Sequence, residues 1–331
     1  MKKSIQLIFL FLALVLILGG VILARKPKNI SQDIEWGISF SKYAAESSGL
    51  DWRETYLAIL DDLKPKSLRL PIYWREVEPR PGKYHFDDYD WLVAMAEERG
   101  VKLILVIGRK APRWPKRQMP DWTVNLEEPI QQSKVLDLNS KIVKRYRNLD
   151  NLYAWQVESE PLMANKGYPK LSNRFLSKEI KAVRALDSEH LILVTDEGTK
   201  GFWLSVAGRG DILGVTMYQT FWNNYWGYYK WAHSLRLFWL KTNLIHLFYP
   251  QKPIMISELQ GEYWEPERPY ETSLDDQLKL MSLDQFKENI EQARKAGFQK
   301  VYFRGAEWWY WLKTKQEKPE FWEEAKRVIG G

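Results

Sequence analysis

From residue 34 onward, short apolar runs alternate with longer stretches whose apolar positions recur at helical spacing. The runs fall at 34–40, 67–71, 102–108, 153–157, 191–195, 212–217, 254–258 and 301–306. They are close to continuously apolar, the pattern of parallel strands covered on both faces. Between them, 52–63 places Trp52, Tyr56, Ile59, Leu60 and Leu63 at helical spacing. The stretch 89–99 stops at Gly100 and 275–296 stops at Gly297, both natural helix ends, and 171–186 has the same character. Eight strands alternating with helices predict an α/β chain folded as a (β/α)8 TIM barrel. A doubly wound open sheet is the alternative, but no Gly-rich phosphate loop follows the first strand. No composition break divides 29–331, which reads as one barrel domain.

Residues 5–24 depart from this alternation. They form an uninterrupted apolar and glycine stretch between Lys2-Lys3 and Arg25-Lys26. Twenty residues are enough to span a hydrocarbon core of ~30 Å. A signal peptide has a shorter apolar region of ~7–15 residues and a small-x-small cleavage site, which is poorly matched here. The segment 1–28 is therefore predicted to be an uncleaved signal anchor with one N-terminal transmembrane helix. The usual arrangement keeps the short basic N-terminus inside and exports the barrel, making it extracytoplasmic. Secretion after cleavage is the alternative.

Composition narrows the function mainly by exclusion. The formal charge of +7 suggests an acidic partner, but five of the 49 basic residues lie in 1–28, which has no acid. The remainder holds 44 basic against 42 acidic residues, no footprint for nucleic acid. The chain has no cysteine, so disulfides and thiolate chemistry are excluded. Its four histidines lack metal-ligand spacing, and neither metal nor organic cofactor is expected. No obligate protein partner is inferred.

Two glutamates carry the candidate chemistry. Glu160 stands in Trp155-Gln-Val-Glu-Ser-Glu-Pro161 and Glu258 in Pro253-Ile-Met-Ile-Ser-Glu258, each at the C-terminal end of a predicted strand. In an α/β barrel such residues point into the mouth, and two carboxyl groups there are the minimum for cleaving a glycosidic bond. Alone, either could be a solvated strand-end residue or half of an ion pair. Arg69 ends the second strand, where a guanidinium can keep a carboxylate ionised. Tyr218 ends the sixth, and Trp308 and Trp309 follow the eighth as a plausible floor for a sugar ring. The segment 218–249, which includes Trp222, is densely aromatic. It can be read as a buried helix covering the barrel, as a sugar-stacking lid, or as a surface touching a bilayer, where Trp and Tyr concentrate. Glu158 is a rival to Glu160; Glu262 and Glu307 read as substrate-contacting or structural. Arg209-Gly-Asp211 and the sequon Asn29-Ile-Ser31 carry no function in this reading.

The run Arg69-Leu-Pro-Ile-Tyr-Trp-Arg-Glu-Val-Glu-Pro79, then Gly82-Lys-Tyr-His-Phe-Asp87 and Gly100-Val-Lys-Leu-Ile-Leu105, resembles the second and third βα units of clan A glycoside hydrolases. Ala111-Pro-Arg-Trp-Pro115 is similar to their β-galactosidase-like members. The resemblance covers roughly 34–325. It implies a retaining glycosidase acting on a carbohydrate substrate, with Glu160 as acid/base, Glu258 as nucleophile and Arg69 as the supporting arginine. Tyr218 corresponds to the strand-six aromatic and Trp308 to the strand-eight tryptophan. Trp74 and Trp222 are further candidate substrate contacts. Ser159 departs from the pattern, because the family has Asn before the acid/base to bond the sugar 2-hydroxyl. That departure leaves open a catalytically degenerate carbohydrate-binding protein held at the membrane. A transglycosylase on the same site is a further reading, since it shares the first half-reaction with hydrolysis.

Overall fold

Strands form where the chain is apolar on both faces, and the computed structural model closes eight of them into one parallel barrel. It describes residues 19–21, 23–27, 33–112, 119–164, 170–223, 225, 227–230, 235–263 and 272–330, the side chains of 221–223 and 228 excepted. In chain order the elements are β1 (Glu35–Ser39), α1 (Lys42–Ser47), α2 (Trp52–Ala58), β2 (Ser67–Pro71), α3 (Trp74–Val77), α4 (Asp87–Glu97) and β3 (Lys102–Ile107). Then come α5 (Glu128–Tyr146), β4 (Leu152–Val157), α6 (Asn173–Leu186), β5 (Leu191–Asp196), α7 (Leu204–Ala207) and β6 (Ile212–Met217). A hairpin of β7 (Thr220–Asn223) and β8 (Gly227–Lys230) leads to α8 (Leu235–Phe248) and β9 (Ile254–Gln260). The chain closes with α9 (Leu274–Leu280), α10 (Leu283–Ala296), β10 (Lys300–Arg304), α11 (Ala306–Lys315) and α12 (Glu320–Gly330). The barrel order is β1-β10-β9-β6-β5-β4-β3-β2, so β7 and β8 stand outside it as a separate antiparallel pair.

Two cores hold this arrangement. The lumen is filled by Ile104, Ala154, Leu193, Ile212, Met255 and Tyr302, a packed interior rather than a pore. Tyr302 lies against Gly37 of β1, where a Cβ would come within 2.6 Å of its ring, so that position admits only glycine without a shift. The larger core lies between barrel and helices, where for example Trp155, Trp309 and Trp322 are fully buried.

All eight predicted strands are present with small boundary changes, and local capping chemistry explains where helices depart from the prediction. The 52–63 helix widens after Ala58 into a π turn over Ile59–Leu63 and stops at Lys64, whose φ is +52°. The single helix predicted over 275–296 is two, because Ser282 leaves helical geometry and caps α10 through the Gln285 amide. The anchor predicted within 5–24 lies almost wholly outside the described residues. Among the described residues, no helix is long and apolar enough to cross a membrane.

Candidate active site

Strand β4 ends on Gln156 and Val157, and the next three residues turn sharply. Glu158 and Glu160 both have positive φ, +63° and +46°. Such backbone is costly for non-glycine residues and persists only where surroundings impose it. Here the restraints are explicit. The Glu158 carboxylate accepts the amides of Arg109 at 3.0 Å and Lys110 at 2.5 Å. The Ser159 amide donates to the Lys110 carbonyl at 2.8 Å. The Glu160 amide donates to Thr195 Oγ1 at 2.9 Å, and Lys110 Nζ donates to the Glu160 carbonyl at 2.7 Å. Gly108 makes room for the turn: its φ is +114° and a Cβ there would fall 2.5 Å from Glu158 Cδ.

Glu258 reaches the same mouth from β9. Its neighbour in register on β6 is Thr216, whose hydroxyl donates to Glu160 Oε1 at 3.3 Å. Arg69, expected to end the second strand, is instead the middle residue of β2; fully buried, it donates from Nη1 to Glu258 Oε1 at 2.8 Å and from Nε to Gln156 Oε1 at 2.6 Å. Gln156 continues to Thr195 Oγ1 at 3.4 Å, so one polar chain joins the Glu258 carboxylate to the Glu160 backbone. The other Glu258 oxygen accepts the Tyr218 phenol, and Tyr218 Oη accepts Arg304 Nη1 at 2.8 Å. Arg304 also lies 3.9 Å from Glu258 Oε2 and pairs with Glu262 at 2.7 Å.

The electrostatics follow from these contacts. Burial alone would raise the Glu258 pKa, but the charges of Arg69 and Arg304, with the Tyr218 hydrogen bond, bring it down to about 2. Burial and the adjacent carboxylate push the Tyr218 phenol well above its ordinary value against the pull of Arg304, so it stays a donor. At the end of β5, burial pushes Asp196 up to about 7. The Glu197 amide and Lys241 oppose that shift, and the charge of Glu160 adds to it. Among the described residues, no group of three His, Asp or Glu could hold a metal ion.

The structure thus brings together Glu160, Glu258, Arg69, Ser159 and Tyr218. It separates two others from them. Trp74 is fully buried; its indole donates to Glu78 at 2.8 Å and meets Trp122 edge-on, leaving no ring face for a sugar. Trp308 is also a correction, because β10 ends at Arg304 and Ala306 already begins α11. The helix turns Trp308 toward Gln277, Tyr263 and Phe321, where it is buried packing. Trp222 lies on β7 and its side chain falls outside the described residues. Glu307 is structural, accepting the Ser41 amide at 2.5 Å.

Sequence reasoning missed Arg304, Gln156, Thr195 and Thr216. Strand parity could have found the first, because Tyr302 fills the lumen and the residue two further on projects from the same face at the mouth. Glu158 is no free rival to Glu160. It is fully buried and faces Glu179 of α6, also fully buried.

Comparison with known proteins bears on the family and the fold. The family described as Cellulase (glycosyl hydrolase family 5) matches residues 38–257, well over half of the chain. Similar solved folds include a beta-galactosidase from Rahnella sp. R3, with TM-score 0.58 and 14% identity over 84% of this chain and 51% of that one. The chain therefore spans about half the length of that enzyme. A subfamily 18 family 5 protein from Streptomyces cattleya, solved with GlcNAc, gives TM-score 0.57 and 14% identity over 82% of this chain and 70% of that one. A xylanase from Paenibacillus barcinonensis gives TM-score 0.54 and 16% identity over 82% and 83%. At these identities the likeness speaks for the barrel fold.

Proposed function

We propose, for a chain that belongs to the cellulase family (glycosyl hydrolase family 5) and is a glycosidase, that it cleaves β-linked O-glycosides of oligo- or polysaccharides with retention of configuration. The observation that carries the proposal is the Glu258 carboxylate held ionised by Arg69, Arg304 and Tyr218 in the mouth that also receives Glu160. In the first step Glu160 gives its proton to the leaving glycosidic oxygen while Glu258 attacks the anomeric carbon, forming a glycosyl-enzyme. In the second, the Glu160 carboxylate takes a proton from water, which attacks the same carbon and releases Glu258. Ser159, in the turn that follows β4, takes the place from which a side chain meets the sugar 2-hydroxyl. The chain is anchored by residues 5–24, with the barrel outside the cytoplasm.

The test uses the full chain in detergent on a panel of aryl β-glycosides and β-linked polysaccharides, with the product anomer followed by NMR. Turnover with retained configuration, lost in both Glu160→Gln and Glu258→Gln, is the expected result. A product of inverted configuration, or turnover that survives either substitution, would sink it.

A further inference from the structure

Helix α8 has an unusual outer face. Its core side is set by Phe238, Thr242 and Ile245. At 100° per residue the opposite face carries Arg236, Leu240, Asn243, Leu244 and Leu247, where a surface helix normally presents polar residues. Leu247 is 66% exposed and the adjoining Phe248 60%, and Tyr249 after them is also exposed. On this same face Asn243 Nδ2 donates to the carbonyls of Leu23 at 2.6 Å and Arg25 at 2.9 Å. The end of the N-terminal apolar segment, still helical where the Ala24 amide meets Gly20 O at 2.9 Å, is therefore pinned to the outer face of α8.

We propose that the outer face of α8, extended by Tyr249, lies in the headgroup–acyl boundary of the bilayer that residues 5–24 enter. The barrel then rests on the membrane along one flank and does not hang from a free tether. This rests on the reading of 5–24 as an anchor. The argument is one of distance and charge. An anchor leaves the hydrocarbon where its basic flank begins, here at the exposed Arg25 and Lys26. Asn243 holds that point directly, and Leu247 is one helical turn further, about 6 Å along the axis. Interfacial helices bury their apolar face ~5–10 Å deep, so Leu247 and Phe248 fall within the boundary. Arg236, exposed at the other end of the face, meets the headgroups alongside Arg25 and Lys26 and favours anionic lipid. Water against Leu247, Phe248 and Tyr249 would leave three consecutive apolar side chains uncovered.

The absence of native cysteine makes the test direct. Phe248→Cys, in the full chain, carries a fluorophore at one position. Glu97→Cys is the control, exposed at the end of α4, which joins β2 to β3 on the far side of the barrel from α8. Both are reconstituted with phosphatidylcholine–phosphatidylglycerol vesicles, floated on a gradient, and quenched by nitroxide lipids or by aqueous iodide. The expected result is flotation of both, with the label at 248 quenched severalfold more by the lipid nitroxide and severalfold less by iodide than the label at 97. Flotation with equal iodide quenching at both positions overturns the docking and leaves the anchor standing. A label at 248 shielded from both quenchers overturns it too, because protein (residues 1–18 folded back, or a second copy) then covers the face. Failure to float removes the anchor reading and this inference with it.

Discussion

Two groups of buried carboxyls lie at the same end of the barrel and are driven in opposite directions. Glu258 meets two guanidiniums and a phenol, and its pKa falls to about 2. Glu158 and Glu179 meet each other. Burial raises both, and the neighbouring carboxylate raises Glu179 further; the Arg109 and Lys110 amides and the Arg109 charge resist only in part. Arg109 is itself engaged by Glu128 at 2.7 Å and does not neutralise the pair. Burial is common to the two groups, so the contrast shows that the number of facing cations decides the charge state. The first arrangement keeps an anion available for attack. The second favours the uncharged form of Glu179, while Glu158 restrains the turn that carries Glu160 through the Arg109 and Lys110 amides.

Linkage gives the two groups opposite pH signatures. The Glu258 value is depressed below its ordinary 4.5, so its contribution to stability is present above that pH and lost as the pH falls toward about 2. The Glu179 value is raised, so its contribution is full below 4.5 and is lost as the pH rises above it. Denaturant midpoints measured across pH should show Glu258→Gln flattening the acid side and Glu179→Gln flattening the neutral-to-alkaline side. If both act on the same limb, the contrast is wrong.

The largest effect belongs to the ionised member. Glu258→Gln should lower kcat by about a thousandfold or more, the scale seen when a covalent nucleophile is removed. Unchanged folding, checked by circular dichroism, separates this from collapse. Next comes the buried carboxyl pair: Glu179→Ala should cost about 3 kcal/mol in urea unfolding, because it leaves a cavity and a buried carboxyl without its partner. Glu179→Gln, which keeps the volume and a neutral donor, should cost much less; equal losses would refute a neutral Glu179. Gly108→Ala follows at about 2 kcal/mol, since the new Cβ meets the Glu158 carboxyl and the backbone has positive φ. The smallest and most diagnostic change is Arg304→Gln. Removing one of the two cations should raise the acidic limb of the kcat/KM profile by about one pH unit. A profile that drops without shifting would make Arg304 merely structural.

Much of the fold was legible in the chain because it rests on local pattern. Continuous apolar runs mark strands buried on both faces, and Gly297 marks a helix end, with φ +82° as its position requires. Expected position at a strand end was enough to single out Glu160, Glu258, Arg69 and Tyr218, and the structure gathers all four at one mouth. The aromatic residues misled, because an indole near a strand end looks the same in sequence whether it faces a sugar or a helix layer. Trp74 and Trp308 both face protein, and Arg304 stands at the end of the eighth barrel strand instead.

Periodicity and residue type therefore determined the barrel, its strand ends and the two carboxyls of its mouth, since those depend on neighbours a few positions apart. Only the tertiary structure decided that Arg304 joins Arg69 and Tyr218 at Glu258, and that Glu179 faces Glu158. Arg304 and Glu179 belong to different elements from the carboxyls they meet. The electrostatic energy of a buried carboxyl depends on distances of a few ångströms in a poorly screened interior, and barrel closure sets those distances.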